Sequence, residues 1–344
     1  MKKYNIAIVG ATGAVGQELL QILAERDFPV GELKLLASSR SAGTKITFKE
    51  KVYEVAEAGS DSFAGIDIAL FAGGSISKTL APEAVKAGAV VIDNSSTFRM
   101  SAGVPLVVPE VNAEELKHHQ GIIANPNCST IIMVMALQPL LQLAAIKRVV
   151  VSTYQAVSGA GKEAMAELQS QCEAIMQGEE PEAKVLPVAK LDKHYQIAFN
   201  LIPQIDVFCP DDYTKEEHKM IDETRKILAL DDLKITATTV RVPVWRSHAE
   251  SLNVEFETEV TVQEAKEALE KFPGVTLLDN PGEMLYPMPL DTAGKDDVYV
   301  GRVRCDDSVE HGLNLWLSGD QIRKGAALNA IQIAEKLIDM NLIS

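Results

Sequence analysis

The residues that could do chemistry begin with Cys128, in the stretch Asn125-Pro126-Asn127-Cys128-Ser129-Thr130, directly before the apolar run of residues 131–137. That run reads as a buried helix, because Pro139 and Gln142 leave it too short to span a membrane. A cysteine at a helix N-terminus meets unpaired N–H groups and the positive end of the helix dipole. Both stabilise the thiolate, which is the form that attacks carbon. The plain alternative is a small buried thiol that fills the helix start. Further along, Arg241 and His248 stand seven residues apart; on their own, the first reads as a strand-end salt bridge and the second as a structural or solvated histidine.

These side chains need elements to hold them, and the first is a βα unit. Residues 5–9 form a short, almost wholly apolar segment of the kind buried in a parallel sheet, and Gly10 begins the turn that follows it. Gly10, Gly13 and Gly16 give a G-x-x-G-x-x-G form of the dinucleotide fingerprint, in which backbone approaches a pyrophosphate at a helix N-terminus. A second strand, 33–37, ends in Ser38-Ser39-Arg40-Ser41, and no acid occurs between Glu32 and Glu50. A guanidinium and hydroxyls in place of the acid that reads a ribose 2′-hydroxyl favour NADP over NAD. Strands at 66–72, followed by Gly73-Gly74, and at 89–92 continue the alternation, so the first half is expected to be an α/β, doubly wound (Rossmann-type) parallel sheet. Asp93-Asn94-Ser95-Ser96-Thr97-Phe98-Arg99 then falls beyond a strand's carboxyl end, where such sheets bind ligands, and Arg99 is a candidate anion binder.

The second half reads as α+β. A strand over 148–157 runs into the turn Ser158-Gly159-Ala160-Gly161 and a helix over 162–177, and a charged helix follows Pro210 over 211–226. In that helix Glu216 and Lys219 share a face, which on residue spacing alone is a surface ion pair of little worth. Segments 236–244, 251–258, 298–304 and 313–318 alternate as strands with one buried face, predicting a mostly antiparallel second sheet. Residues 325–340 make a closing amphipathic helix.

Five stretches, in order, resemble the signatures of the aspartate-β-semialdehyde dehydrogenase family: residues 10–16, 93–99, 125–130, 154–163 and 241–248. The resemblance implies NADPH-dependent reduction of L-aspartyl-4-phosphate to L-aspartate 4-semialdehyde, with release of inorganic phosphate, in lysine, threonine and methionine synthesis. It implies Cys128 as nucleophile, His248 as acid/base and Gln155 as the residue that orients the acyl group. Arg241 is expected to hold the α-carboxylate, Glu216 the α-ammonium, and Lys219 with Arg99 the phosphate, with Asn127 also against substrate. The cofactor set comprises Gly10, Thr12, Gly13, Ala14, Val15, Gly16, Ser38, Arg40, Ser41, Gly73, Asn94, Ser95, Ser158 and Gly159. The closing helix is expected to return to the nucleotide domain, giving an NADP-binding domain of 1–127 plus 325–344 and a catalytic and dimerisation domain of 128–324, in a homodimer or homotetramer. Glu216 is expected to be the only acid among these cations. N-acetyl-glutamyl-phosphate reductase resembles this family in its chemistry, but an acetylated amine leaves Glu216 without a partner. A non-catalytic NADPH-sensing regulator is the remaining alternative, and it does not account for Cys128, Gln155 and His248 together.

Composition sets the outer bounds. A chain of 344 residues with 47% hydrophobic residues predicts two globular domains. A net charge of −15 argues against nucleic acid and anionic membranes as partners. The four cysteines are widely spaced, with no zinc-ligand pattern, so neither a metal site nor a disulfide framework is expected. His118 and His119 read as solvated surface. The N-terminal residues run straight into a strand pattern without the apolar core of a signal peptide, which predicts a cytoplasmic protein.

Overall fold

Tyr4–Val9 forms strand β1 of the computed structural model, which describes residues 2–343. Then come α1 (Ala14–Glu25), β2 (Val30–Ala37), the hairpin of β3 (Lys45–Phe48) and β4 (Lys51–Glu54), and β5 (Ala56–Glu57). β6 (Ile68–Phe71), α2 (Ser77–Lys86), β7 (Val90–Asp93), α3 (Pro109–Asn112) and β8 (Ile122–Ala124) complete this part of the chain. Six strands pair in parallel in the order β5-β2-β1-β6-β7-β8. On one face Ile6, Ile8, Ile68, Leu70 and Ile92 pack with Ile331, Ile333 and Leu337 of the C-terminal helix, Leu328–Asp339. On the other, Ala7, Val9, Ala69 and Phe71 pack with Leu80, Ala81 and Ala84 of α2. Burial on both faces is why these strands are apolar throughout rather than alternating. The order reverses between β1 and β6, so the turns after both strands open at the switch point where doubly wound sheets take ligands.

The chain divides into two compact units, one running to Asn127 and resuming at Gly325, the other spanning Cys128–Lys324. The second unit contains α4 (Cys128–Leu141), β9 (Ile146–Gln155), α5 (Lys162–Met176), α6 (Lys215–Leu228), β10 (Lys234–Arg241), β11 (His248–Phe256) and α7 (Val262–Lys271). It ends with β12 (Val275–Leu277), α8 (Pro289–Thr292), β13 (Val298–Asp306) and β14 (Gly312–Gly319). Its sheet has the order β10-β9-β11-β14-β13-β12, with the two outer pairings parallel and the three inner ones antiparallel.

Four local differences from the sequence expectation stand out. Helix α6 starts at Lys215 rather than at 211, because Thr214 caps it: the Thr214 side chain accepts from the Glu217 amide, and the Glu217 carboxylate accepts from the Thr214 amide. Strand β11 begins at His248 rather than at 251, its ladder to β14 starting at the His248–Gly319 pair. A π turn, Arg323–Ala327, precedes the final helix. His119 is half-buried rather than solvated; its Nδ1 accepts from the Gly121 amide, and burial lowers its pKa. Among the described residues no helix is long and apolar enough to cross a membrane.

Candidate active site

Strand register brings three polar side chains into one row. Gln155, the last residue of β9, pairs with Arg241, the last of β10, while Ala249 of β11 pairs with Tyr154, so His248 lies beside Gln155. All three are buried. Cys128, the first residue of α4, presents its Sγ 3.6 Å from His248 Nε2. The Ala156 peptide organises the row: its N–H donates to His248 Nδ1 at 3.0 Å, and its carbonyl accepts from Arg241 Nη1 at 2.7 Å. An N–H donor on Nδ1 leaves the proton of neutral imidazole on Nε2, facing the sulfur. A second proton on Nδ1 would oppose the Ala156 N–H. Burial, with the Arg241 charge added, holds His248 well below its ordinary 6.5. His248 is therefore a neutral N–H donor aimed at Cys128.

Helix α6 supplies the charges. Glu216, buried in the first turn, accepts from Gln155 Nε2 at 3.1 Å and pairs with Lys219 Nζ at 3.2 Å. Lys219 also reaches Asp206 at 2.9 Å. Burial pulls the Lys219 pKa down, and the charges of Glu216 and Asp206 more than offset it, leaving the ammonium held above its usual range. Capping at Thr214 turns Glu216 inward, so the pair is no surface bridge. Glu216 is not the only acid: Asp206, in a left-handed backbone conformation at φ 67°, and the buried Glu250 stand with it.

The turn after β9 fits tightly against the same row. A Cβ on Gly159 would stand 2.9 Å from Arg241 Nη1 and 3.1 Å from His248 Cε1, so this position admits only glycine without displacement. The neighbouring Ser158 Oγ accepts from Gln321 Nε2, a residue with no motif to mark it in the sequence.

The remaining predicted residues belong to the first unit. Gly10 has φ 87°, and a Cβ on Gly16 would collide with the Gly10 carbonyl and the Ala11 backbone, so both glycines are required by the turn. Thr12 and Gly13 lead into Ala14, Val15 and Gly16 of α1, whose first turn holds no acid to repel a phosphate. Ser38 and Arg40 are exposed and Ser41 is half-buried in a short turn after β2. Gly73 has φ 123°. Asn94 Nδ2 donates to the Phe71 carbonyl, and Ser95 Oγ donates to buried Asp93. These features fit a dinucleotide with a 2′-phosphate. Arg99 Nη2 donates to the Asn94 carbonyl, and Asn127 is buried directly before Cys128. Away from the row, Cys209, Asp211 and His218 gather their donor atoms within 4.8 Å, around an exposed His218–Asp211 pair.

The chain is similar to known proteins over nearly its whole length. Residues 5–119 match the family model of the semialdehyde dehydrogenase NAD binding domain, and residues 137–324 that of the semialdehyde dehydrogenase dimerisation domain. Aspartate-semialdehyde dehydrogenase of Bacillus subtilis is 55% identical over 341 residues, covering 98% of this chain and 99% of the relative. The Aquifex aeolicus enzyme of that name is 55% identical over 345 residues, 99% of both chains. The crystal structure of aspartate semialdehyde dehydrogenase II from Vibrio cholerae, solved also in complex with ASA, has a TM-score of 0.93 at 46% identity, covering 98% of this chain and 99% of that one. The Candida albicans aspartate semialdehyde dehydrogenase solved with NADP has a TM-score of 0.75 at 25% identity, covering 99% of this chain and 100% of that one.

Proposed function

The chain belongs to the aspartate-semialdehyde dehydrogenase family, and from that premise we propose how its residues carry out the reversible, NADPH-dependent conversion of L-aspartyl-4-phosphate to L-aspartate 4-semialdehyde and phosphate. The protein is an oxidoreductase of amino-acid biosynthesis. The observation that carries the mechanism is the Cys128 Sγ to His248 Nε2 approach of 3.6 Å, with Gln155 and Arg241 in the same buried row.

The Cys128 thiolate adds to the C4 carbonyl of the acyl phosphate, the C–O bond to phosphate breaks, and a thioester remains on sulfur. The fingerprint glycines with Ser38, Arg40 and Ser41 would hold NADPH, which would supply the hydride for reduction of the thioester. His248 Nε2–H donates first to the thiolate and then to the oxyanion that develops on the former carbonyl oxygen. Collapse of the hemithioacetal oxyanion breaks the C–S bond, frees the aldehyde and returns the thiolate. The thiolate ends as it began, so His248 serves as a fixed donor and need not change protonation state. Arg241, whose buried Nε has no hydrogen-bond partner among the described residues, receives the α-carboxylate. Glu216 takes the α-ammonium, Gln155 and Asn127 align the acyl group, and Lys219 with Arg99 serves the phosphate. Asn94, Ser95, Gly73, Ser158 and Gly159 complete the cofactor contacts. The unit running to Asn127 and resuming at Gly325 is then the NADP-binding domain, and the Cys128–Lys324 unit the catalytic and dimerisation domain of a cytoplasmic homodimer or homotetramer.

The test is a phosphate- and NADP-dependent oxidation assay with aspartate semialdehyde and N-acetylglutamate semialdehyde side by side. Turnover of the first alone supports the reading. Preference for the second would transfer the protein to N-acetyl-glutamyl-phosphate chemistry, and turnover of neither would leave a dinucleotide-binding regulator.

A further inference from the structure

The buried face of β11 runs His248, Glu250, Leu252, Val254, Phe256, each at most 1% exposed, so a carboxyl interrupts an apolar row directly after the catalytic histidine. Glu250 is 0% exposed, and neither of its oxygens has a hydrogen-bond partner among the described residues. Its cross-strand neighbours are Thr153 on β9 and Leu317 on β14, and Thr153 pairs in turn with Thr239 on β10. Thr153 Oγ1 donates to Gln155 Oε1, and Gln155 Nε2 donates to Glu216. Glu250 is thus one rung below the row that binds substrate, next to a hydrogen-bonded path that ends on Glu216. A carboxyl buried without partners is a standing cost, and in an apolar row Leu would fill the space without it. Its retention calls for a state in which it is paired.

We propose that Glu250 is a specificity-determining residue: the second carboxyl of the ammonium subsite, which with Glu216 forms a buried acid pair that is completed when the substrate's α-ammonium enters. The inference rests on the reading of this site as one for an aspartyl substrate. Glu216 is the charge that acts on it directly; the other titratable groups buried on these elements are Glu217 and Glu223 on α6, Arg241 on β10 and His248 on β11, with Cys128 on α4 and Lys219 on α6 half-buried, and β9 and β14 bury none. Glu217 is engaged by the Thr214 and Thr239 amides, and Lys219 by Asp206 and Glu216. Burial, with the Glu216 charge added, holds Glu250 well above the usual carboxylate range, so the free enzyme carries it as a neutral acid. An arriving ammonium reverses that balance. The Glu250 O–H bond breaks, the proton passes to solvent, and the carboxylate left behind shares the cation with Glu216. Binding of the amino substrate therefore releases one proton wherever the free enzyme still carries it.

Calorimetric titration of Cys128→Ala protein with aspartate semialdehyde, in two buffers of different ionisation enthalpy, counts that proton and needs no change at Glu250. The expected result is release of about one proton per site, lost in the Cys128→Ala/Glu250→Gln protein. In the active enzyme Glu250→Gln should raise KM for aspartate semialdehyde roughly 10–100-fold, with kcat and NADP affinity little changed. Glutamine has the shape and neutrality of the protonated acid, so a merely structural Glu250 would leave KM where it is. No proton release, or an unchanged KM in a Glu250→Gln protein that binds NADP normally, overturns the proposal while the parent reading survives. Wild-type protein that neither oxidises nor binds aspartate semialdehyde removes both.

Discussion

Replacing His248 tests whether the imidazole donates a fixed hydrogen bond or exchanges protons. The Ala156 N–H on Nδ1 at 3.0 Å, full burial and the Arg241 charge all oppose an imidazolium, leaving Nε2–H as the group that meets sulfur at 3.6 Å. His248→Ala deletes one preorganised donor in a site shielded from water. Loss of one such donor costs about 2.7–4 kcal/mol, or roughly 10²–10³ in kcat. His248→Gln places an amide N–H near the former Nε2 and cannot ionise at any ordinary pH, so it should recover at least about tenfold of that loss. The assay is initial rate against pH with phosphate, NADP and aspartate semialdehyde, paired with the alkylation rate of Cys128 to count reactive thiolate. Wild type should show no inflection at 6.5, because the folded-state pKa of His248 lies well below that value. The reasoning is refuted by His248→Gln as slow as His248→Ala together with an inflection near 6.5 that both variants lose. That pattern would make His248 a proton carrier. A His248→Ala enzyme within a factor of about two of wild type would remove it from the chemistry altogether.

Cys128→Ala should abolish phosphate-dependent turnover and leave NADP binding intact, read by rate and by cofactor titration; activity above a trace would exclude the thioester route. Arg40→Ala should weaken NADP at least roughly tenfold more than NAD in fluorescence titrations, as loss of a charge-assisted phosphate contact requires, and equal losses would remove Arg40 from the 2′-phosphate. Gly159→Ala, which must displace Arg241 Nη1 and His248, should lower kcat/KM by about 10²-fold with little change in Tm, whereas an unaffected rate would show that the row tolerates movement. Stability should also depend on pH in two windows. The depressed pKa of His248 means that the unfolded chain binds more protons below 6.5, so stability present above that value is lost as pH falls toward the folded pKa. The raised pKa of Glu250 acts oppositely: its contribution is complete below 4.5 and is lost as pH rises toward the folded pKa. Thermal melts should therefore flatten on the acid side in His248→Gln and on the alkaline side in Glu250→Gln, and curves parallel to wild type would contradict both assignments.

The parts of the fold legible in the sequence were those governed by local rules. Strand β1, its glycine turn and α1 followed from an apolar run and three glycines, and the parallel sheet from repetition of that unit. Cys128 was legible because a helix start needs only the residues after it. Glu216 and Lys219 at spacing i, i+3 pointed to a surface pair until the Thr214–Glu217 box fixed the rotation of α6 and turned them inward. Asp206, Gln321 and Glu250 lacked any periodic or motif signal. Asp206 depends on a left-handed turn, Gln321 on a contact with Ser158 from 163 positions away, and Glu250 on the face that β11 buries. The one available sign was Glu250 itself, two residues after His248 and so on the same side of any strand that contains both.

The buried charges form a connected set that is costly in the empty site. Gln155, Glu216, Lys219 and Asp206 satisfy one another in sequence, which fixes Glu216 at the cost of one cation and two acids held partly or wholly out of water. Breaking such a chain at one member leaves the next uncompensated, whereas apolar replacements of matching shape can be neutral or stabilising. A polar set of this kind persists for what it binds. Arg241, with a buried Nε lacking a partner among the described residues, and Glu250, with two such oxygens, are the members left incomplete within the protein. One is a cation suited to a carboxylate and the other an acid suited to an ammonium. An α-amino acid supplies both groups on one carbon. An N-acetylated substrate would satisfy Arg241 and leave Glu250 unpaired beside Glu216, so the unsatisfied atoms themselves favour a free amino acid over its acetylated analogue.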